Sequence, residues 1–148
     1  MNIQKTYTNH KLLFQEAEAW YKIYLHLSKN IKTSFDFLTQ RLVILIFAIE
    51  LYLKSYLCFL DENYKEVNKL KNLSHRIDKI FKKIIKNDKN FIKFEKIFKR
   101  FNYFKNLYIV LRYPEIGNLI EGIPLFKIDD FEEVINYIGL KIRNKKNN

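Results

Sequence analysis

Ala48-Ile-Glu50-Leu-Tyr-Leu-Lys54-Ser-Tyr-Leu57 decides the reading of this chain, because it sets two opposite charges inside an apolar run. From Leu42 to Leu60, Glu50 and Lys54 are the only formally charged side chains. They lie four apart, so on a helix they share a face, with Glu on the N-terminal side, the better orientation for an ion pair. A charged pair in such a run is either a buried group with specific partners or a site.

The run is long enough to raise the membrane question, since a spanning helix needs about 20 apolar residues. Glu50 and Lys54 fall near its middle, where each would cost about 2.5–3.5 kcal/mol even on a lenient insertion scale. Met1–Lys11 is polar, with no signal-like apolar block after it. The expectation is a central buried helix in a soluble, cytoplasmic protein without a membrane partner.

Composition narrows the rest. In a chain of 148 residues, 48% hydrophobic content with 13 Phe and 10 Tyr supplies one core, so a single domain over 1–148 is expected. Three Gly and two Pro leave little turn chemistry for an all-β fold. The single Cys58 excludes an intrachain disulfide and a Cys-rich zinc site. No His/Cys/Asp cluster has ligand spacing, and no Gly-rich phosphate loop is present. The expected set of metals and cofactors is therefore empty.

Helical periodicity organises the chain into an all-α bundle of about five helices with up-and-down topology. The first helix runs from His10 to about Ser28 on Leu13, Ala17, Trp20, Tyr21, Tyr24 and Leu27. Thr33 or Ser34 can cap a second, ending at about Leu60. Asp61–Asn72 reads as a mobile loop, and Ser74 as the N-cap of a third helix facing inward through Ile77, Ile80, Phe81, Ile84 and Ile85. After a break at Lys86–Asn90, Phe91, Phe94, Phe98, Phe101 and Tyr108 mark a fourth, which Pro114 stops. Glu115–Lys127 is an irregular connection. Asp129 with Glu132 forms an acidic capping box for the last helix, with Phe131, Val134, Ile135, Ile138 and Ile142 inside. Asn144–Asn148 is expected to be a disordered tail.

The net charge of +11 has two readings. Clustered cations gain affinity for nucleic acid by releasing counterions. Yet Lys greatly outnumbers Arg, and Asn and Ile abound, as A/T-rich codons would produce. On a continuous fourth helix Lys89, Lys93, Lys96 and Arg100 fall at i, i+4, i+7 and i+11. Such a stripe, with Lys82, Lys83 and Lys86 nearby, is a solvated face or a contact for RNA backbone.

Polar landmarks then follow in order: Ala48-Ile-Glu50-Leu-Tyr-Leu-Lys54, His75-Arg-Ile77 and Leu111-Arg-Tyr-Pro-Glu115. This order resembles the HEPN domain family, with its A-x-E-x-x-x-K-like helix, H-[DR]-[LI] helix start and closing R-Y-P. Ala17-Glu-Ala-Trp20 is similar to the family's first helix, so the resemblance covers roughly Leu12 to Glu115. It implies a small bundle that often forms a homodimer. Members act as toxin ribonucleases, as partners of small nucleotidyltransferases, or as modules that bind nucleotides. The ribonuclease branch carries an Arg and, after four to six residues, a His. That pair offers a proton acceptor and a cation beside the phosphate. Gly117, Asn118 and Leu119 occupy those places after Arg112, so the expectation leans away from catalysis.

Glu50, Lys54, His75 and Arg112 could still converge as a phosphate or acid–base site. Alternatively, Glu50 pairs with Lys54 or Arg112 to fix helix register, and His75 makes a first-turn hydrogen bond. Arg112 and Tyr113 suit either a helix stop or a contact to a phosphate and base. The leading expectation is a non-catalytic member that binds RNA, a nucleotide or a protein partner in a prokaryotic stress, toxin–antitoxin or defence setting. Its candidate binding residues are Lys54, Lys89, Lys93, Lys96, Arg100, Arg112 and Tyr113. The alternatives are a divergent metal-independent endoribonuclease using Arg112, His75 and Glu50, and a purely structural interaction module.

Overall fold

In the computed structural model, residues 6–30, 38–102 and 128–144 are described, with side chains at 6–30, 40–99 and 131–144. The described backbone is helical. It contains α1 (His10–Lys29), α2 (Leu38–Leu60), α3 (Val67–Leu73), α4 (Ile77–Asn87), α5 (Glu95–Asn102) and α6 (Ile128–Asn144). Single 3₁₀ segments, Glu62–Lys65 and Lys89–Phe94, precede α3 and α5. The expected all-α bundle is therefore what forms, and its organising element is the apolar run.

α2 is buried on several sides: Ala48, Ile49, Tyr52, Leu53, Tyr56, Leu57 and Cys58 all belong to the core. Such a helix is either a core helix or a membrane span. Gln40–Leu60 passes the span test by length and composition, with mean hydropathy 2.0, yet 67% of it is buried by the rest of the chain. It is the axis of the bundle.

α1 lies antiparallel along α2. His10 meets Phe59, Phe14 meets Tyr52, Trp20 meets Phe47, and Arg41 Nε donates to Ser28 Oγ at 3.2 Å, so the partners descend α2 as α1 ascends. Asn9 caps α1 by accepting from Leu12 N–H at 2.8 Å. On other sides, α4 brings Ile80, Phe81 and Ile84 inward, and α6 brings Phe131, Val134 and Ile138. Phe91, at 0% exposure, packs its ring against Tyr56, Phe81, Phe94, Phe98 and Tyr137.

Four expectations need correction. Asp61–Asn72 is not a loop. Asp61 caps a 3₁₀ turn through Asn63 N–H, and α3 follows with Leu70 and Leu73 buried. The segment is also tied to Thr6–Thr8: Thr8 N–H donates to Lys65 O, and Val67 N–H to Thr6 O. Ser74 does not cap α4; it closes α3, donating its N–H to Lys71 O at φ +49°, and the N-cap position falls to Arg76. The fourth helix is interrupted too, because Asp88 accepts from Asn90 N–H and turns the chain into the 3₁₀ segment before α5 begins.

Asp129 lies within the first turn of α6 rather than at its cap, as the helix starts at Ile128. Thr33, Ser34, Tyr108, Pro114, the Glu115–Lys127 connection and the tail beyond Asn144 lie outside the described residues, as does the side chain of Phe101.

Candidate functional site

Glu50 stands midway along α2 with 3% of its surface exposed. A carboxylate so placed must find donors, since burying an unpaired charge costs several kcal/mol. Both oxygens have one. Oε1 accepts from Lys54 Nζ at 2.6 Å, one helical turn away, and Oε2 faces His75 Nδ1 at 2.8 Å. Lys54 is itself largely covered, with a side-chain exposure of 14%. The expected Glu50–Lys54 pair is thus present, and a third member joins it.

His75 reaches Glu50 because of the turn that precedes α4. Ser74 takes a left-handed φ of +49°, rare for a residue with a Cβ. That reversal carries the next side chain back toward α2. The His75 ring crosses to another helix. An ionised carboxylate only accepts, so the proton lies on Nδ1 and the ring orientation is fixed. With 53% side-chain exposure, His75 connects the buried carboxylate to the surface. Arg76 follows, its Nη2 3.4 Å from Asp78 Oδ2 and its Nε buried without a hydrogen-bond partner.

The chemistry of this group is that of an oriented imidazole. A carboxylate behind Nδ1 holds one tautomer and favours the charged ring that forms during proton transfer. Lys54 neutralises Glu50, so its charge is engaged inside the cluster. Arg112 and Tyr113 lie outside the described residues, and the placement of Arg112 relative to Glu50 is not part of this geometry. Among the described residues, no group of three or more His, Cys, Asp and Glu could hold a metal ion.

A second polar centre escaped sequence reading. Asp88, 9% exposed, accepts from Tyr56 Oη at 2.7 Å and Tyr137 Oη at 2.6 Å through the same oxygen. Burial pushes its carboxyl upward, but the two phenols, Lys141 and Asn90 N–H outweigh that and hold it below the usual 3.8. Burial first, then the hydrogen bond to Asp88 and its negative charge, push the Tyr137 phenol up to about 12. Asp88 thereby joins α2, the end of α4 and α6. Its only sequence signal is an Asp two residues before Asn90 in a polar break, a common turn pattern. The tyrosine partners are 32 and 49 residues away.

The basic stripe is not one row. Lys89 and Lys93 sit on the 3₁₀ segment and Lys96 on α5, so the regular helical spacing is lost. All three remain exposed. Lys93 lies over the Phe94 and Tyr137 rings, 4.8 and 4.7 Å from their centres, and 3.9 Å from Glu133. The Arg100 side chain is outside the described set.

Comparison with known proteins supplies one match. The family model of the HEPN domain matches residues 47–144, a stretch holding Glu50, Lys54, His75, Asp88 and Arg112. No curated protein and no solved structure matches the chain.

Proposed function

The chain belongs to the HEPN domain family, and from that premise we propose that it binds RNA or a nucleotide without cleaving it through the family's Arg-and-His pair. Membership points to a ribonuclease-type or nucleotide-related role in the broad sense. The narrower reading rests on one observation. From Lys79 to Arg100 the chain has eight lysines and one arginine against Asp88 and Glu95, and Asp88 is buried on its tyrosines. Even with Lys99 paired to Glu95 and Lys93 near Glu133, this stretch carries an excess of cation, as a phosphate backbone requires.

Arg112 has no histidine at the family's spacing. In this reading Arg112 and Tyr113 contact ligand, and Lys54 supports Glu50. The homodimer, the nucleotidyltransferase-type partner and the prokaryotic stress or defence setting are parts of the same proposal, carried by the family alone. Incubating pure protein with mixed RNA tests it, beside an Arg112→Ala control. Retained, intact RNA supports binding without cleavage; cleavage abolished by Arg112→Ala contradicts it.

One observation favours a second reading, a divergent endoribonuclease: the 2.8 Å contact that orients His75 on Glu50. An imidazole so held is suited to take a proton from a ribose 2′-hydroxyl. RNA cleavage lost in both Arg112→Ala and His75→Ala would select it, and cleavage unchanged by Arg112→Ala would dismiss it. Absence of cleavage in the wild type would dismiss it.

A further inference from the structure

Three of the exposed cations form a straight row. Lys79, Lys82 and Lys86 lie at i, i+3 and i+7 of α4, on the side opposite Ile80, Phe81 and Ile84. Unlike the Lys89–Arg100 set, they share one uninterrupted α-helix, Ile77–Asn87. At 1.5 Å per residue the row spans roughly 10 Å. Among the described residues, none of the three makes an ion pair.

Three neighbouring lysines are engaged. Lys83 lies over the Tyr64 ring at 5.4 Å, Lys99 pairs with Glu95 at 3.1 Å, and Lys93 leans on Tyr137 toward Glu133. His75, held on Glu50 of α2 and half exposed, precedes the start of α4.

We propose that this edge of α4 is a track for single-stranded RNA, with successive phosphates on Lys79, Lys82 and Lys86. The inference rests on the nucleotide-directed reading above and gives it a location and a substrate class. The size of the row selects a single strand. The row is short and sits on one convex helix, so it touches a few phosphates of one strand. A duplex needs a surface that reaches across a groove to both backbones. Ammonium groups contact phosphate without reading bases, so the track is tolerant of sequence.

The test is fluorescence anisotropy with labelled oligouridine of about 12 nucleotides and the matching duplex, a length within the range such surfaces cover. Two triple variants are compared with the wild type: Lys79→Gln/Lys82→Gln/Lys86→Gln and Lys89→Gln/Lys93→Gln/Lys96→Gln. Glutamine keeps helix propensity at exposed positions, and an unchanged helical dichroism signal checks the fold. The α4 triple should weaken single-strand binding at least tenfold at low salt. It should also flatten the slope of log affinity against log salt by about 2. The other triple should do less, and the duplex should bind more weakly than the strand.

Wild-type affinity for RNA with an α4 triple that behaves as wild type overturns the track and leaves RNA binding standing. Preference for the duplex overturns the single-strand assignment. No wild-type binding to either probe overturns both the track and the RNA part of the reading beneath it.

Discussion

A carboxylate carried into an apolar core loses hydration worth several kcal/mol, and Glu50 recovers it through Lys54 on its own helix and His75 from a turn. The two partners differ in exposure, 14% against 53%, so they differ in consequence. Glu50→Ala strands a covered ammonium and should lower unfolding free energy by about 2–4 kcal/mol. His75→Ala removes one partner at the surface and should cost about 1 kcal/mol. Urea denaturation of both variants measures this; equal losses would mean that the carboxylate is not the centre of the group.

Asp88 makes a separate prediction about pH. Its folded pKa lies below the unfolded value, so its contribution is present at neutral pH and disappears as pH falls through the folded value. The stability gap between wild type and Asp88→Asn should therefore be widest near neutrality and close below about pH 4. A gap that widens on acidification would contradict the assigned sign. Glu50 and Lys54 were legible because charges inside an apolar run are conspicuous. Asp88 was not, since its burial comes from Tyr56 and Tyr137 across the bundle, a tertiary fact that a polar break does not reveal.

At the scale of elements, long periodic segments were readable and short ones were not. α1 and the end of α2 fall within a residue or two of the positions that periodicity predicts. α3 has only seven residues and two buried leucines, too little pattern to separate it from a charged loop. Ser74 was read as an N-cap because serine favours that position, but it instead ends α3 and reverses the chain. A residue with a Cβ at φ +49° carries strain that glycine would not. Ser74→Gly should thus raise stability by about 0.5–1 kcal/mol, read from the denaturation midpoint. A loss of similar size would show that the turn is relaxed with serine in place.

The fourth periodic segment erred for another reason. Phe91, Phe94 and Phe98 are all buried as expected, but a 3₁₀ segment also brings its aromatic residues onto one side. The hydrophobic pattern therefore survived while the basic row did not, which moved the straight line of cations to α4.

For the whole molecule, the aromatic cluster around Phe91 does what the apolar run alone could not, joining α2, α4, α5 and α6. Phe91→Ala should cost about 3–5 kcal/mol and loosen all four together in a single unfolding transition. A biphasic transition would instead show that α1 and α2 hold as an independent hairpin.

The same molecule-wide view sets charge against family. The family match covers the polar centre on α2, but a charge of +11 bears on function only if binding phosphates releases counterions. Titrating wild-type binding to single-stranded RNA against salt tests that claim most directly. The account predicts a straight fall of log affinity with log salt, with a slope of about −2 or steeper. Affinity that is undetectable at low salt, or indifferent to salt, would contradict it.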